Sequence, residues 1–363
     1  MVNYTREDIS FVKNILVDLL STPTPSGHEE PGVDLLVEIL NSIGFKNKIK
    51  LEYLGDRSYN IIINDIKNPE YLIATHIDTI PILTKTKIIN EFYIKGTGAI
   101  DAKGSVAAIV FALKNLNYLP SNFSVAIFSQ EESTGGGSVS YLKNHSPKRA
   151  LIMEPTSLEI ATSGNGFLTL RVKAYGEYSH PNAPISARKD SAIIKAVNII
   201  KTMKEYFESR GMQIGILRIH SDAGGFIIPK ECEFEVDVNI PPGNRALDLL
   251  KEMRQLIENK DYEVLLLDFA DPFINRDISF EKALKKVYKS ILGREAKIIS
   301  IPAWTDANNL YDFGVNSIVF GPGDFNLAHT EKEFVDIRDI ILAGSFIKEF
   351  ILYIDSEGYK TKN

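Results

Sequence analysis

Two histidines and five carboxylates, each at the end of an apolar run or in a glycine-rich turn, are the residues of this chain best placed to do chemistry. His76 and Asp78 follow the apolar run 71–75, and Asp101 lies in the turn G-T-G-A-I-D-A-K-G at 96–104. Glu131 and Glu132 follow the run 123–129, Glu154 follows 150–153, and His329 ends the loop G-P-G-D-F-N-L-A-H at 321–329. If His76 binds a metal through one ring nitrogen, Asp78 is placed to accept from the other and fix the tautomer. Asp101 can bridge two ions with its two oxygens. Two histidines and three carboxylates suit Zn²⁺, Co²⁺ or Mn²⁺. One carboxylate is left over as a base, which makes this the inventory of a two-metal hydrolase. Taken singly, each residue has a plainer reading. His76 and Asp78 can be a structural pair, Asp101 a helix cap, Glu131 and Glu132 a solvated turn, Glu154 a loop entry and His329 an exposed loop residue.

The elements that must position these residues alternate between strand and helix. Thr5 with Asp8 fits the capping of a first helix whose apolar positions run from Ile9 to Leu19. A second helix starts near Glu29 and stops at Gly44. Strands are expected at 60–64, 71–75, 123–129 and 150–153, with a buried helix over 105–113. That order argues for an α/β layered domain. Strand-end loops on one edge of such a sheet are where ligands bind. Near residue 163 the pattern changes. Strand 166–174, helix 187–207, strands 213–221 and 231–239, helix 245–259 and strand 262–267 follow in the order β-α-β-β-α-β of a ferredoxin-like, split βαβ domain. In 231–239, Cys232, Phe234, Val236 and Val238 alternate with acidic residues, as in an antiparallel strand with one wet face. From about 276 the chain returns to helix and strand and ends in a helix over 337–354. The expected organisation is therefore a discontinuous catalytic domain, 1–162 and 276–363, interrupted by an inserted domain, 163–275.

Composition bounds the function classes. The 363 residues and 44% apolar content support a sizeable core. A net charge of −6 without long single-sign runs gives no reason to expect nucleic acid or a membrane as partner. A single cysteine, Cys232, rules out an internal disulfide and a thiolate zinc cluster and fits a reducing, cytoplasmic setting. No secretory signal or membrane span is expected.

In order, the segments A-T-H-I-D (74–78), G-T-G-A-I-D-A-K-G (96–104), Q-E-E-S-T (130–134), M-E-P (153–155), Y-S-H-P (178–181) and A-H-T-E (328–331) resemble those of a known family. It is the dinuclear zinc amidohydrolases and metallopeptidases that include acetylornithine deacetylase, succinyl-diaminopimelate desuccinylase, aminoacylase and the glutamate carboxypeptidases. The loop 321–329 looks most like that of the acetylornithine deacetylases. The resemblance implies a zinc-exopeptidase-like catalytic domain with a lid and dimerisation insert, two divalent ions (Zn²⁺ or Co²⁺), and hydrolysis of an amide. By the same resemblance Asp101 bridges the ions, His76 and Glu154 complete one site, and Glu132 and His329 complete the other. Asp78 orients His76, and Glu131 is the general base that activates the attacking water between the metals and returns a proton to the leaving amine. His180, in the insert, is implied as the oxyanion donor, reaching the partner's site in a homodimer formed through the lid. Without the family it reads as a surface turn histidine.

Three departures bear on substrate. Phe226 stands where many relatives have Asn, Asn239 ends a segment that is Asp-x-Arg elsewhere, and W-T-D-A-N places Asn308 where deacylases often have Arg. An asparagine holds a carboxylate without the charge-assisted, bidentate contact of arginine. Arg188 and Arg245 are the remaining candidates for that contact, and as plain surface cations they need no explanation. The first expectation is a deacetylase or desuccinylase acting on an N-acyl or carrier-linked amino acid. The second is a carboxypeptidase or dipeptidase acting on short peptides. The third is an inactive relative that only binds a ligand.

Overall fold

The computed structural model describes residues 4–116, 118–183, 191–257 and 259–360. They form two compact units, one of residues 1–163, 274–301 and 305–363, the other of 164–273 with 302–304.

In the first unit, four strands run parallel side by side: Phe123–Phe128, Tyr71–His76, Arg149–Ile152 and Asn316–Val319. Their residues are almost all buried on both faces, the pattern of a central parallel sheet covered by helices. Antiparallel strands flank them, with Ser58–Ile63 and Ile49–Gly55 on one side. On the other side lies Ile160–Gly164. Ile49–Gly55 is missing from the expectations above. It is an edge strand whose Leu51 and Tyr53 are exposed, so its alternation marks no buried face.

Helices Arg6–Ser21, Glu30–Ser42, Lys103–Leu116, Ile278–Leu292 and Ile337–Lys360 share one apolar cluster with strand residues such as Ile63, Ile73, Val125 and Leu151. The first helix begins as expected: the Thr5 side chain accepts from Asp8 N, and Asp8 accepts from Thr5 N in return. Helix Lys103–Leu116 is buried nearly throughout, which explains its lack of a polar face.

The second unit has its own core. Strand Gly166–Tyr175, helix Ala192–Glu208, strands Ile214–His220 and Glu231–Ile240, helix Ala246–Ile257 and strand Tyr262–Ala270 follow in chain order. The sheet runs Ile214–His220, Glu231–Ile240, Gly166–Tyr175, Tyr262–Ala270, antiparallel throughout. With one helix after the first strand and one after the third, this is the ferredoxin-like arrangement. Cys232, Phe234, Val236 and Val238 are buried, and Glu235 on the other face pairs with Arg171 and Arg218. Helix Ala192–Glu208 starts after the expected 187, and 187–190 lie outside the described residues. Pro302–Trp304, expected with the C-terminal segment, joins this unit. Pro302 O accepts from Asn239 Nδ2 at 2.7 Å, and Trp304 meets Phe167 edge-on.

Candidate metal centre

The C-terminal ends of the four parallel strands converge on one side of the sheet and deliver His76, Glu131 and Glu132, Glu154 and the loop to His329. Thr75 Oγ1 donates to Met153 O at 2.8 Å and Met153 N to Ala74 O at 2.7 Å, so the strand ends bearing His76 and Glu154 are tied together. Gly321 lies against Glu154, where an added Cβ would meet Glu154 O at 2.5 Å. Only glycine fits. Among the six described non-glycine residues with left-handed backbone are Gln130, φ 64°, just before Glu131, and His329, φ 58°. Such conformations persist only where the surroundings enforce them.

His76 is fully buried. Its Nδ1 lies 2.9 Å from the Asp78 backbone carbonyl and 3.5 Å from Asp78 Oδ1. The carbonyl is the nearer acceptor for fixing the tautomer, with the Asp78 carboxylate behind it. Two residues past a strand end, the backbone turns its own oxygen toward the ring. The Asp78 carboxylate instead accepts from Ser26 Oγ at 2.6 Å, Glu131 N at 3.1 Å and Glu132 N at 3.0 Å. It pins the turn that carries both glutamates.

His76 Nε2 faces Asp101 Oδ1 at 3.1 Å, Glu154 Oε1 at 3.6 Å and Glu131 Oε2 at 3.9 Å. His329 Nε2 faces Glu132 Oε1 at 2.9 Å and Asp101 Oδ2 at 3.3 Å. Asp101 thus presents one oxygen to each histidine. His76, Asp101 and Glu154 form one potential ligand group, and Asp101, Glu132 and His329 a second. A third group, His76, Glu131 and Glu132, also falls within ligand range, so proximity alone does not separate Glu131 from the ligands.

The electrostatics fit cations. Burial pushes Glu131 well above the usual carboxylate range, raises Glu132, and brings Glu154 to about 7. Burial also raises Asp101, but His329 and His76 outweigh it and hold that carboxyl well below its ordinary value. Hydrogen bonds that His329 donates to Asp101 and Glu132 lift it to about 10. Burial disfavours a charged His76, yet the carboxylates around it, led by Glu154 and Glu131, drive it well above 6.5. Among the described residues, Glu154 Oε1 is buried without a hydrogen-bond partner. The site thus has an excess of buried carboxylate oxygens and an orphaned acceptor on Glu154, and divalent cations would satisfy both.

Sequence reasoning missed several buried residues around this centre. Asp306, in W-T-D-A-N, accepts from Ser138 Oγ with one oxygen and has no hydrogen-bond partner for the other among the described residues. Burial brings it to about 7, and its charge pushes Glu131 and Glu154 further up. Glu29 accepts from Gly27 N at 2.9 Å and Gln130 N at 3.1 Å, bracing the Glu131 turn. Lys103 Nζ is buried and donates to Leu19 O and Thr22 O. Glu333 accepts from the Asp101 turn. The signal for Lys103 is its place two residues after Asp101; no local pattern marks Glu29 or Glu333.

The expected substrate-binding residues lie in both units and have partners of their own where they are described. Asn308 is fully buried and its Oδ1 accepts from Thr305 N at 3.0 Å as part of a helix cap. Asn239, in the second unit, bonds Asn165 and Pro302. Both amides have structural partners. Arg245 pairs with Asp271 at 3.4 Å, and Arg188 lies outside the described residues. His180, also in the second unit, is exposed; its Nδ1 accepts from Asn182 N at 3.1 Å and its ring meets Phe226 edge-on.

The profile of Peptidase family M20/M25/M40 matches residues 72–353. Among curated proteins, a [LysW]-lysine/[LysW]-ornithine hydrolase of Saccharolobus islandicus is 26% identical over 352 residues, covering 94% of this chain and 95% of that one. Its counterpart in Sulfurisphaera tokodaii is 25% identical, covering 92% of each. Among solved structures, a tripeptidase of Staphylococcus aureus superposes with a TM-score of 0.79 at 20% identity, covering 94% of this chain and 97% of that one. An M20 family metallo-carboxypeptidase of Sulfolobus solfataricus gives 0.69 at 18%, covering 94% and 99%. At such identities the structures speak for the fold alone. The family profile takes in the parallel strands and every candidate ligand, and the chain belongs to Peptidase family M20/M25/M40 and is a hydrolase.

Proposed function

We propose that the chain is a dinuclear metal-dependent amidohydrolase that releases a basic amino acid, lysine- or ornithine-like, from an acyl or carrier group joined to it through an amide. One observation above all supports the reaction: Asp101 offers an oxygen to each of two histidine–carboxylate groups. The substrate class is supported by the Saccharolobus and Sulfurisphaera relatives, aligned over nearly their whole length.

His76, Asp101 and Glu154 would hold one ion, and Asp101, Glu132 and His329 the other, with Zn²⁺ or Co²⁺ the best matches to the donors. Bound there, divalent ions supply Lewis-acid polarisation of the amide carbonyl and acidify water. Glu131 takes the proton of the attacking water and returns it to the leaving amine. Glu131 lies within 3.9 Å of His76 Nε2, close enough to the ligands to serve both steps. Asp78 keeps Glu131 and Glu132 in register through their backbone N–H groups.

In this reading the first unit is the catalytic domain and the second a lid. His180 is assigned as oxyanion donor on the resemblance alone. A homodimer is favoured because Ile214–His220 is an edge strand of the second unit's sheet with Ile216, Leu217 and Ile219 exposed.

Amine release should be measured for the zinc- or cobalt-loaded protein, with and without chelator. The panel holds N-acetyl-ornithine, N-acetyl-lysine, succinyl-diaminopimelate, carrier-linked lysine and ornithine, neutral N-acyl amino acids and short peptides. Chelator-sensitive preference for a basic amino acid is expected. Preference for peptides would move the enzyme to the peptidase reading, and silence across the panel with two ions bound would overturn hydrolysis of this class.

A further inference from the structure

Glu333 lies four residues beyond His329, is 1% exposed, and has a carboxylate that meets the backbone of another segment. Its Oε2 accepts from Gly98 N at 3.1 Å, and its Oε1 from Ile100 N at 3.0 Å and Asp101 N at 3.3 Å. Three N–H groups of one tight turn converge on one carboxylate, a cradle for an anion made by the backbone itself. Main-chain bonds reinforce the link. Gly96 N donates to Glu333 O at 3.1 Å, and strand Phe334–Asp336 pairs with Tyr93–Lys95 on either side of the junction.

The turn cannot relax independently. Gly98 has φ 86°, and an added Cβ there would lie 2.7 Å from Thr79 Cγ2. On the other side, Gly323 packs so closely that its added Cβ would overlap Ile100 at 2.3 Å. The turn carrying Asp101 is thus clamped between the strand-end loop of His76 and the loop leading to His329. Glu333 is the polar fastening on the His329 side.

We propose that Glu333 is a positioning residue that sets the spacing between Asp101 and His329, and through it the second of the two metal sites. This rests on the ligand reading above. Glu333 touches neither substrate nor ion. It holds the Asp101 backbone against the loop that carries the histidine, so that Asp101 Oδ2 and His329 Nε2 meet at 3.3 Å. A glutamine at 333 keeps one acceptor oxygen but turns an NH₂ group toward N–H donors, so the cradle is broken at nearly constant volume. The Asp101–Glu132–His329 site depends on both fastened segments. The His76–Asp101–Glu154 site depends on only one.

The test is calorimetric titration of metal-free protein with Zn²⁺ and with Co²⁺, comparing wild type, Glu333→Gln, Glu333→Ala and His329→Ala, with thermal unfolding of each metal-free form. Glu333→Gln should weaken the site that His329→Ala removes by about 10- to 100-fold. The other site should change less, and the metal-free melting temperature should stay close to wild type. Glu333→Ala should do the same or more. Two sites of wild-type affinity in Glu333→Gln, even with a lowered melting temperature, would reduce Glu333 to a stabilising residue and overturn the proposal, as would equal weakening of both sites. His329→Ala separates the premises. If it binds two ions like wild type, the ligand assignment fails, whatever Glu333 does.

Discussion

Asp78 illustrates how one buried carboxylate organises this centre. Its three donors, Ser26 Oγ and the N–H groups of Glu131 and Glu132, come from two other loops. Burial raises it, but His76, Ser26 and the turn outweigh that and hold it ionised below its ordinary value. Removing it strands buried donors, at roughly 1–3 kcal/mol each. Asp78→Ala is therefore expected to lower the urea midpoint of the metal-free protein and to weaken metal binding by about 10- to 100-fold. A variant with wild-type stability and metal affinity would remove Asp78 from this role. At this scale the sequence was legible wherever a charged residue ended an apolar run: His76, Glu131, Glu132 and Glu154 all showed in that way. Glu29, Asp306 and Glu333 did not, because their partners lie 101, 168 and 232–235 positions away and no local pattern marks them.

Elements were legible in proportion to how much of them is buried. The parallel strands and helix Lys103–Leu116 stand out as apolar runs, and Glu231–Ile240 as strict alternation with one buried face. The edge strand Ile49–Gly55 and the short hairpin of Lys87–Ile88 and Tyr93–Lys95 bury little, and periodicity did not find them. The helix Ile337–Lys360 offers a pH test away from the metal ligands. Burial, with the neighbouring Asp336, raises Asp339 to about 6 against the pull of Arg338. A carboxyl raised on folding costs nothing below its unfolded value near 4, and a penalty grows as pH climbs through the folded one. In metal-free protein, Asp339→Asn should therefore be more stable than wild type at pH 8, with the gain fading by pH 4. A gain of the same size at both pH values would show that the charge is not the cause.

The whole molecule places its candidate ligands in one compact unit and an exposed edge strand in the other. The β-α-β-β-α-β order of the insert could be read from element order alone, whereas the second unit's claim on Pro302–Trp304 could not, since its contacts, such as Asn239 with Pro302 and Phe167 with Trp304, span more than 60 residues. Among the described residues no helix is long and apolar enough to cross a membrane. Leu217 is 60% exposed and Ile219 50% exposed on the edge strand. Light scattering should find a dimer for wild type and a folded monomer for the double variant Leu217→Lys, Ile219→Lys. A wild-type monomer at micromolar concentration would contradict pairing through this strand.

The central claim is that Glu131 is the base of a metal-dependent hydrolase rather than another ligand. It is tested most directly by Glu131→Ala, measured for metal content and for turnover on the preferred amide in the same preparation. Two ions per chain in both proteins, with turnover lower by about 10²–10⁴-fold in the variant, is the expected result. Undiminished turnover at equal metal content would contradict it, and loss of an ion would return Glu131 to the ligands.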